Sequence, residues 1–110
     1  MSFQHKDLAA GRWLEMSLMQ QLGNVGSEVS RAINWKNKNN AANSQAAFVR
    51  ALELIDLTII DQKNISRLRE IVRMREVLAD FFVGKNLFKS TDLSWQKYFA
   101  YFAIAARKNF

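Results

Sequence analysis

Within Ser66–Asp80, SRLREIVRMREVLAD, four arginines fall in nine positions of a segment that is otherwise rich in apolar residues. Set on a helix at about 100° per residue, Leu68, Ile71, Val72, Leu78, Ala79 and Phe82 form one broad apolar face with Arg75 in its middle. Arg69 and Arg73 share the narrow polar strip with Glu76 and Asp80. A guanidinium keeps its proton and is costly to desolvate alone, so such a helix must lie beside another element that offers a carboxylate or several carbonyls. The pattern therefore demands a bundle rather than a lone helix.

The rest of the chain supplies the neighbours. Ser17 and Gln20 have capping-box spacing, and Leu18, Leu22, Val25, Val29 and Ile33 then recur at three- and four-residue intervals, which predicts a helix over 17–36. Gly23, Gly26 and Ser30 lie along one edge of it, where another backbone can come close. After the polar stretch NKNNAANS, Ser44 is placed to cap a second helix over 44–61 whose stripe is Phe48, Leu52, Ile55 and Ile59. The short link at 61–64 makes the third helix, 64–83, an antiparallel neighbour, and Gly84 ends it. Ser90 with Leu93, or Thr91 with Ser94, opens a fourth helix over 91–107 carrying Trp95, Tyr98, Phe99, Tyr101 and Phe102. Residues 1–16, with Leu8, Trp13, Leu14 and Met16 around Gly11, read as an arm or short helix that docks by its tryptophan. No stretch alternates as a strand does, there is no proline, and no repeat is visible. The expectation is one all-α domain over 1–110, an antiparallel up-and-down four-helix bundle with a short N-terminal arm or helix.

On this bundle Asp56 falls between Leu52 and Val49 at the border of the second helix's apolar face, which makes it the expected buried partner of Arg75, with Glu53 or Glu28 as substitutes. Apolar residues also occupy a second side of helix three, and helix four is aromatic around most of its girth. A helix apolar on several faces is buried by more than one neighbour, so Met74, Val77, Phe81, Trp95, Phe99 and Phe102 are expected to form a homo-oligomer interface. The competing account seats helix four deep among its own three neighbours, with the arm covering the remainder.

Catalytic and metal-binding patterns fail one by one. The absence of cysteine excludes disulfides and cysteine metal sites and suits a reducing compartment. His5, the one histidine, has no second histidine or cysteine with which to build a zinc site or a triad, and the four glycines are not spaced as a phosphate loop. A helical ribonuclease would need a histidine after Arg67–Arg75, and a di-metal bundle would need Glu-x-x-His pairs that Glu15, Glu28, Glu53, Glu70 and Glu76 do not form. No enzyme activity, metal, cofactor or small-molecule substrate is expected. No apolar run approaches the roughly 20 residues of a membrane helix, and MSFQHKDLAAGR lacks a signal-peptide core, so the expected location is cytoplasmic, away from the membrane.

Charge points instead to an anionic partner. The net charge is +6 and the pI near 10.0, with residues 41–62 carrying a local acidic excess. Arg31, Lys36, Lys38, Lys63, Arg67, Arg69 and Arg73 are the candidate contacts to RNA or DNA, since cations at helical spacing can track phosphates. The alternative is that Arg69 and Arg73 pair along their own strip with Glu76 and Asp80. Trp35, Trp95 and Tyr98 can stack on unpaired bases or serve as core.

The order LMQQLGNVGSEVSRAINW, a basic polar loop, AFVRALELIDLTI and RLREIVRMREVLADFF, with its Asn24-Val25-Gly26-Ser27-Glu28 element, resembles the short basic four-helix proteins grouped with the 23S ribosomal RNA intervening-sequence proteins and Avd, the accessory protein of diversity-generating retroelements. That resemblance implies a barrel-like homo-pentamer that assists a reverse transcriptase by binding it and its structured RNA, with no catalytic residues. The Trp13 arm and the aromatic fourth helix depart from the group. A reading from another class is a scaffold or toxin–antitoxin type of interaction module whose arginines pair internally or with an acidic protein.

Overall fold

The computed structural model describes residues 6–108, with side chains described from Gly11 onward; His5 and the side chain of Leu8 lie outside the described residues. The order is α1 (Lys6–Glu15), α2 (Leu18–Asn37), α3 (Ala41–Ile60), a 3₁₀ turn (Gln62–Arg67), α4 (Leu68–Val83) and α5 (Asp92–Lys108), with no strand among the described residues. It is an all-α four-helix bundle, α2 to α5, with α1 as a short extra helix.

Each boundary has a chemical cause. Ser17 Oγ accepts from Gln20 N and Gln20 Oε1 accepts from Ser17 N, the reciprocal box that starts α2. Helix α3 begins three residues earlier than expected because Asn40, not Ser44, is its cap: Asn40 Oδ1 accepts from Asn43 N at 3.0 Å. Ser44 then lies inside the helix, and its buried hydroxyl donates to the Ala32 carbonyl of α2 at 2.8 Å. The third helix also starts differently. Asn64 is turned inward, and residues 62–67 tighten into a 3₁₀ turn before α4 begins at Leu68. Thr91 and Ser94 exchange backbone-to-hydroxyl bonds at 3.0 Å and open α5.

The core lies along α2, which packs extensively on both α3 and α5, while α4 leans on α3. Leu22, Ile33, Ile55, Ile71 and Leu78 are fully buried, each removing apolar surface from water at a gain of about 1.5–3 kcal/mol. Along the small-residue edge of α2, a Cβ added at Gly26 would sit 2.5 Å from Phe99 Cβ, and one at Gly23 would lie 3.5 Å from Ala103 Cα. This is the groove into which α5 is pressed.

That close seating decides where the aromatics go. Trp95, Phe99 and Phe102 are 3–5% exposed and Met74 is 4% exposed, all within this one chain, so these four do not form the outer surface that the sequence pattern suggested. Val77 and Phe81 are half-buried. The buried stripe of α4 is Ile71, Met74 and Leu78, rotated from the face drawn on the wheel; Val72 is 46% exposed and Arg75 sits on the flank of the stripe.

At the start of α2 the interior is polar and closed. Gln21 Nε2 donates to the Trp13 carbonyl and to Asp61 Oδ2, both at 2.8 Å, while Gln21 Oε1 accepts from Asn64 Nδ2. Asn64 also donates to the Thr58 carbonyl, and Trp13 Nε1 donates to Thr58 Oγ1 at 2.9 Å. Lys63 bonds Asp61 and the Leu14 carbonyl. Trp13, 5% exposed, thus docks α1 through its indole N–H as well as its ring. Burial alone would raise the Asp61 carboxyl, but the hydrogen bonds from Lys63 and Gln21 outweigh it and hold the group below the usual carboxylate value.

Two outcomes follow. Gly26→Ala should destabilise by about 1–3 kcal/mol, because the added methyl meets Phe99 at its Cβ, which moves only with the α5 backbone, whereas Gly23→Ala should be neutral or stabilising by up to about 1 kcal/mol from helix propensity; urea midpoints at constant slope check both. Because the Asp61 pKa is lowered on folding, its contribution is present above the unfolded pKa and is lost as pH falls through the folded one. Asp61→Asn should therefore flatten the acid limb of a stability–pH profile below about pH 4.

Candidate nucleic-acid interface

Local carboxylates sort the expected contact residues into engaged and available cations. Arg31 pairs with Glu28, which also accepts from Arg50 Nε at 3.0 Å. Lys63 belongs to the polar network, and Arg67 holds Glu70 at 2.8 Å. Lys36 reaches Asp92 at 3.2 Å and lies 4.2 Å from the Phe81 ring centroid. These four are held by the protein's own acids.

Lys38, Arg69 and Arg73 have no carboxylate partner among the described residues. The alternative pairing of Arg69 and Arg73 with Glu76 and Asp80 is absent there too. Asp80 instead accepts from Phe88 N at 3.0 Å and, through its carbonyl, from Gly84 N and Asn86 N. Arg73 lies 4.7 Å from the Phe88 ring centroid, and Lys38 5.4 Å from that of Trp35.

Arg75 does meet Asp56, Nε to Oδ1 at 2.8 Å, with a longer second bond of 3.4 Å. The two side chains remain 34% and 30% exposed, so the pair sits at the rim of the α3–α4 contact and not inside the core as the wheel implied. Its position on the flank of the buried stripe explains that exposure.

The sequence marks the segment between α4 and α5 only as a terminator, and the structure shows it to be more than that. Asn86 and Lys89 adopt left-handed φ values of 55° and 56°. Asn86 Oδ1 accepts from Ser90 N and its Nδ2 donates to the Ser90 carbonyl, both at 2.9 Å. This bonded loop presents Leu87, 75% exposed, and Phe88, 41% exposed, between exposed Lys85 and Lys89. It shares its end of the bundle with Lys36 and Lys38, because Lys36 and Asn37 both bond Asp92 at the start of α5. Only the alternation of lysine with apolar residues in GKNLFK signals this in the sequence.

Below the loop, α4 and α5 do not close on each other. A cleft of about 360 Å³ separates them, lined by Met74, Val77, Trp95 and Tyr98, with Glu70 and Arg73 on the α4 side and Ser90 and Ser94 on the other. Burial, assisted by the charge of Glu70, pushes the Tyr98 phenol up to about 12, so it is neutral throughout the physiological range. Among the described residues no three His, Cys, Asp or Glu side chains gather as a metal site, and no helix is long and apolar enough to cross a membrane.

For the rim pair, a double-mutant cycle of Arg75→Met and Asp56→Leu should return a coupling of about 0.2–1 kcal/mol in urea unfolding, the range of solvent-exposed pairs; a coupling near 3 kcal/mol would instead mark a buried pair. No protein-family model, curated protein or solved structure matches this chain.

Proposed function

We propose that this chain is a non-enzymatic accessory protein that binds nucleic acid, or a nucleoprotein such as a reverse transcriptase with its RNA, through the basic end formed by the close of α2 and the 84–91 loop. One observation carries the reading: Lys38, Arg73, Lys85 and Lys89 have no carboxylate partner among the described residues, and Lys38 and Arg73 lie against the aromatic rings of Trp35 and Phe88. Lysine and arginine neutralise phosphates, and exposed rings offer faces to bases. Arg69, exposed further along α4, extends the surface.

Self-association belongs to the same reading, but on different residues from those the sequence pattern singles out. With Trp95, Phe99 and Phe102 occupied in the core, the outer stripe of α5 consists of Leu93, Tyr101 and Ile104, which are 57%, 64% and 46% exposed. Joining copies along that stripe would multiply the basic ends and so strengthen binding to a long polyanion.

The test is binding of single-stranded and duplex RNA across a salt series. Lys38→Glu, Arg73→Glu, Lys85→Glu and Lys89→Glu combined should weaken binding at least about tenfold and lower the slope of log affinity against log salt by roughly 0.7 for each phosphate of a single strand that is no longer neutralised. Arg31→Glu, at a cation already held by Glu28, should have much less effect. Absence of binding at low salt would sink the reading and leave the scaffold alternative.

A further inference from the structure

We propose that the α4–α5 cleft receives one unpaired nucleobase of a single-stranded nucleic acid, with the adjoining phosphates on Arg73 and Lys89. The proposal rests on the nucleic-acid reading above and deepens it, since it says what part of the ligand the protein holds beyond its charge.

The cleft has the shape and chemistry of a base site. Its volume of about 360 Å³ lies at the lower end of small-ligand pockets. Two of its lining residues, Trp95 and Tyr98, are aromatic and meet edge to face, their centroids 5.7 Å apart, while Met74 and Val77 supply apolar surface from α4. Such a wall favours a flat ring, which stacks on an aromatic face whatever the base. The ring must also carry polar edges. Ser90 and Ser94 place hydroxyl groups on the α5 side of the cleft, opposite Met74 and Val77. A base brings ring-edge acceptors that a purely aliphatic occupant lacks.

Charge at the mouth suits the backbone that such a base would bring. Arg73 lines the cleft and at the same time lies over Phe88 of the basic loop, so one guanidinium joins the cleft to the surface where phosphates are expected. Glu70, the acid on the same side, is held by Arg67 at 2.8 Å, which reduces its repulsion of a phosphate. The uncharged Tyr98 phenol adds none. A neighbouring base of the strand can then rest on the exposed face of Phe88, 41% of whose surface is accessible.

The experiment compares the parent protein with Val77→Phe, which fills the cleft without altering charge, and with the pair Lys85→Glu and Lys89→Glu. The probes are a short single-stranded RNA, an abasic oligomer of the same length and an RNA duplex. Val77→Phe should weaken binding of the single strand about tenfold, on the scale of one base–aromatic stack, while leaving duplex binding and the salt slope unchanged. The parent protein should bind the abasic oligomer more weakly than the RNA by a similar factor, a comparison that needs no variant to fold. Equal affinity for the abasic oligomer and the RNA would overturn the base site. If binding still fell on the lysine reversals, the nucleic-acid reading would survive it; failure of the parent to bind any probe at low salt would remove both.

Discussion

The contact between Gly26 and Phe99 governs the shape of this molecule. A Cβ at position 26 would overlap the phenylalanine, so the absence of a side chain is what lets α5 lie against α2. Once seated there, α5 turns Trp95, Phe99 and Phe102 into the common core and is drawn away from α4. A four-helix bundle can close its fourth seam only if both flanking helices lean toward it. Here α4 follows α3 and α5 follows α2, and the open cleft between them is the geometric residue of those two preferences.

The distribution of charge obeys a second, local constraint. Overall charge says how many cations exceed anions, but the anions choose which cations remain. Glu28 takes Arg31 and Arg50, Glu70 takes Arg67, Asp56 takes Arg75, Asp61 takes Lys63 and Asp92 takes Lys36. In each of these pairs the cation keeps at least 34% of its side chain exposed, which limits what the pair contributes to stability. Their larger effect is to decide which cations stay without a carboxylate partner among the described residues, Lys38, Lys85 and Lys89 at the end with the 84–91 loop among them.

Periodicity and capping chemistry make the helices readable. The Ser17–Gln20 box is a local signal and needs no tertiary knowledge, and Asp56 can be named for Arg75 because an antiparallel neighbour places few carboxylates within reach. What periodicity misses is a polar residue with an interior role. Gln21 adjoins Leu22 in α2, reads as surface, and is fully buried because Asn64, Asp61 and the Trp13 carbonyl arrive from three distant parts of the chain. Asn40 competes with Ser44 for the cap of α3, and the outcome turns on Ser44 finding the Ala32 carbonyl across the helix interface. The loop at 84–91 is hidden for a similar reason: its order comes from Asp80 and Asn86 side chains bonding backbone, which no hydropathy pattern reports.

The closed polar network around Gln21 has a consequence for how this sequence can vary. Each of Gln21, Asn64, Thr58 and Asp61 satisfies another, so replacing one strands a donor or acceptor on its neighbours. Viable change at that end must be concerted, several positions moving together, while Lys85, Leu87 and Lys89 at the opposite end can be exchanged singly without a structural penalty of that kind. The fold thus anchors one pole of the bundle and leaves the other free to vary position by position.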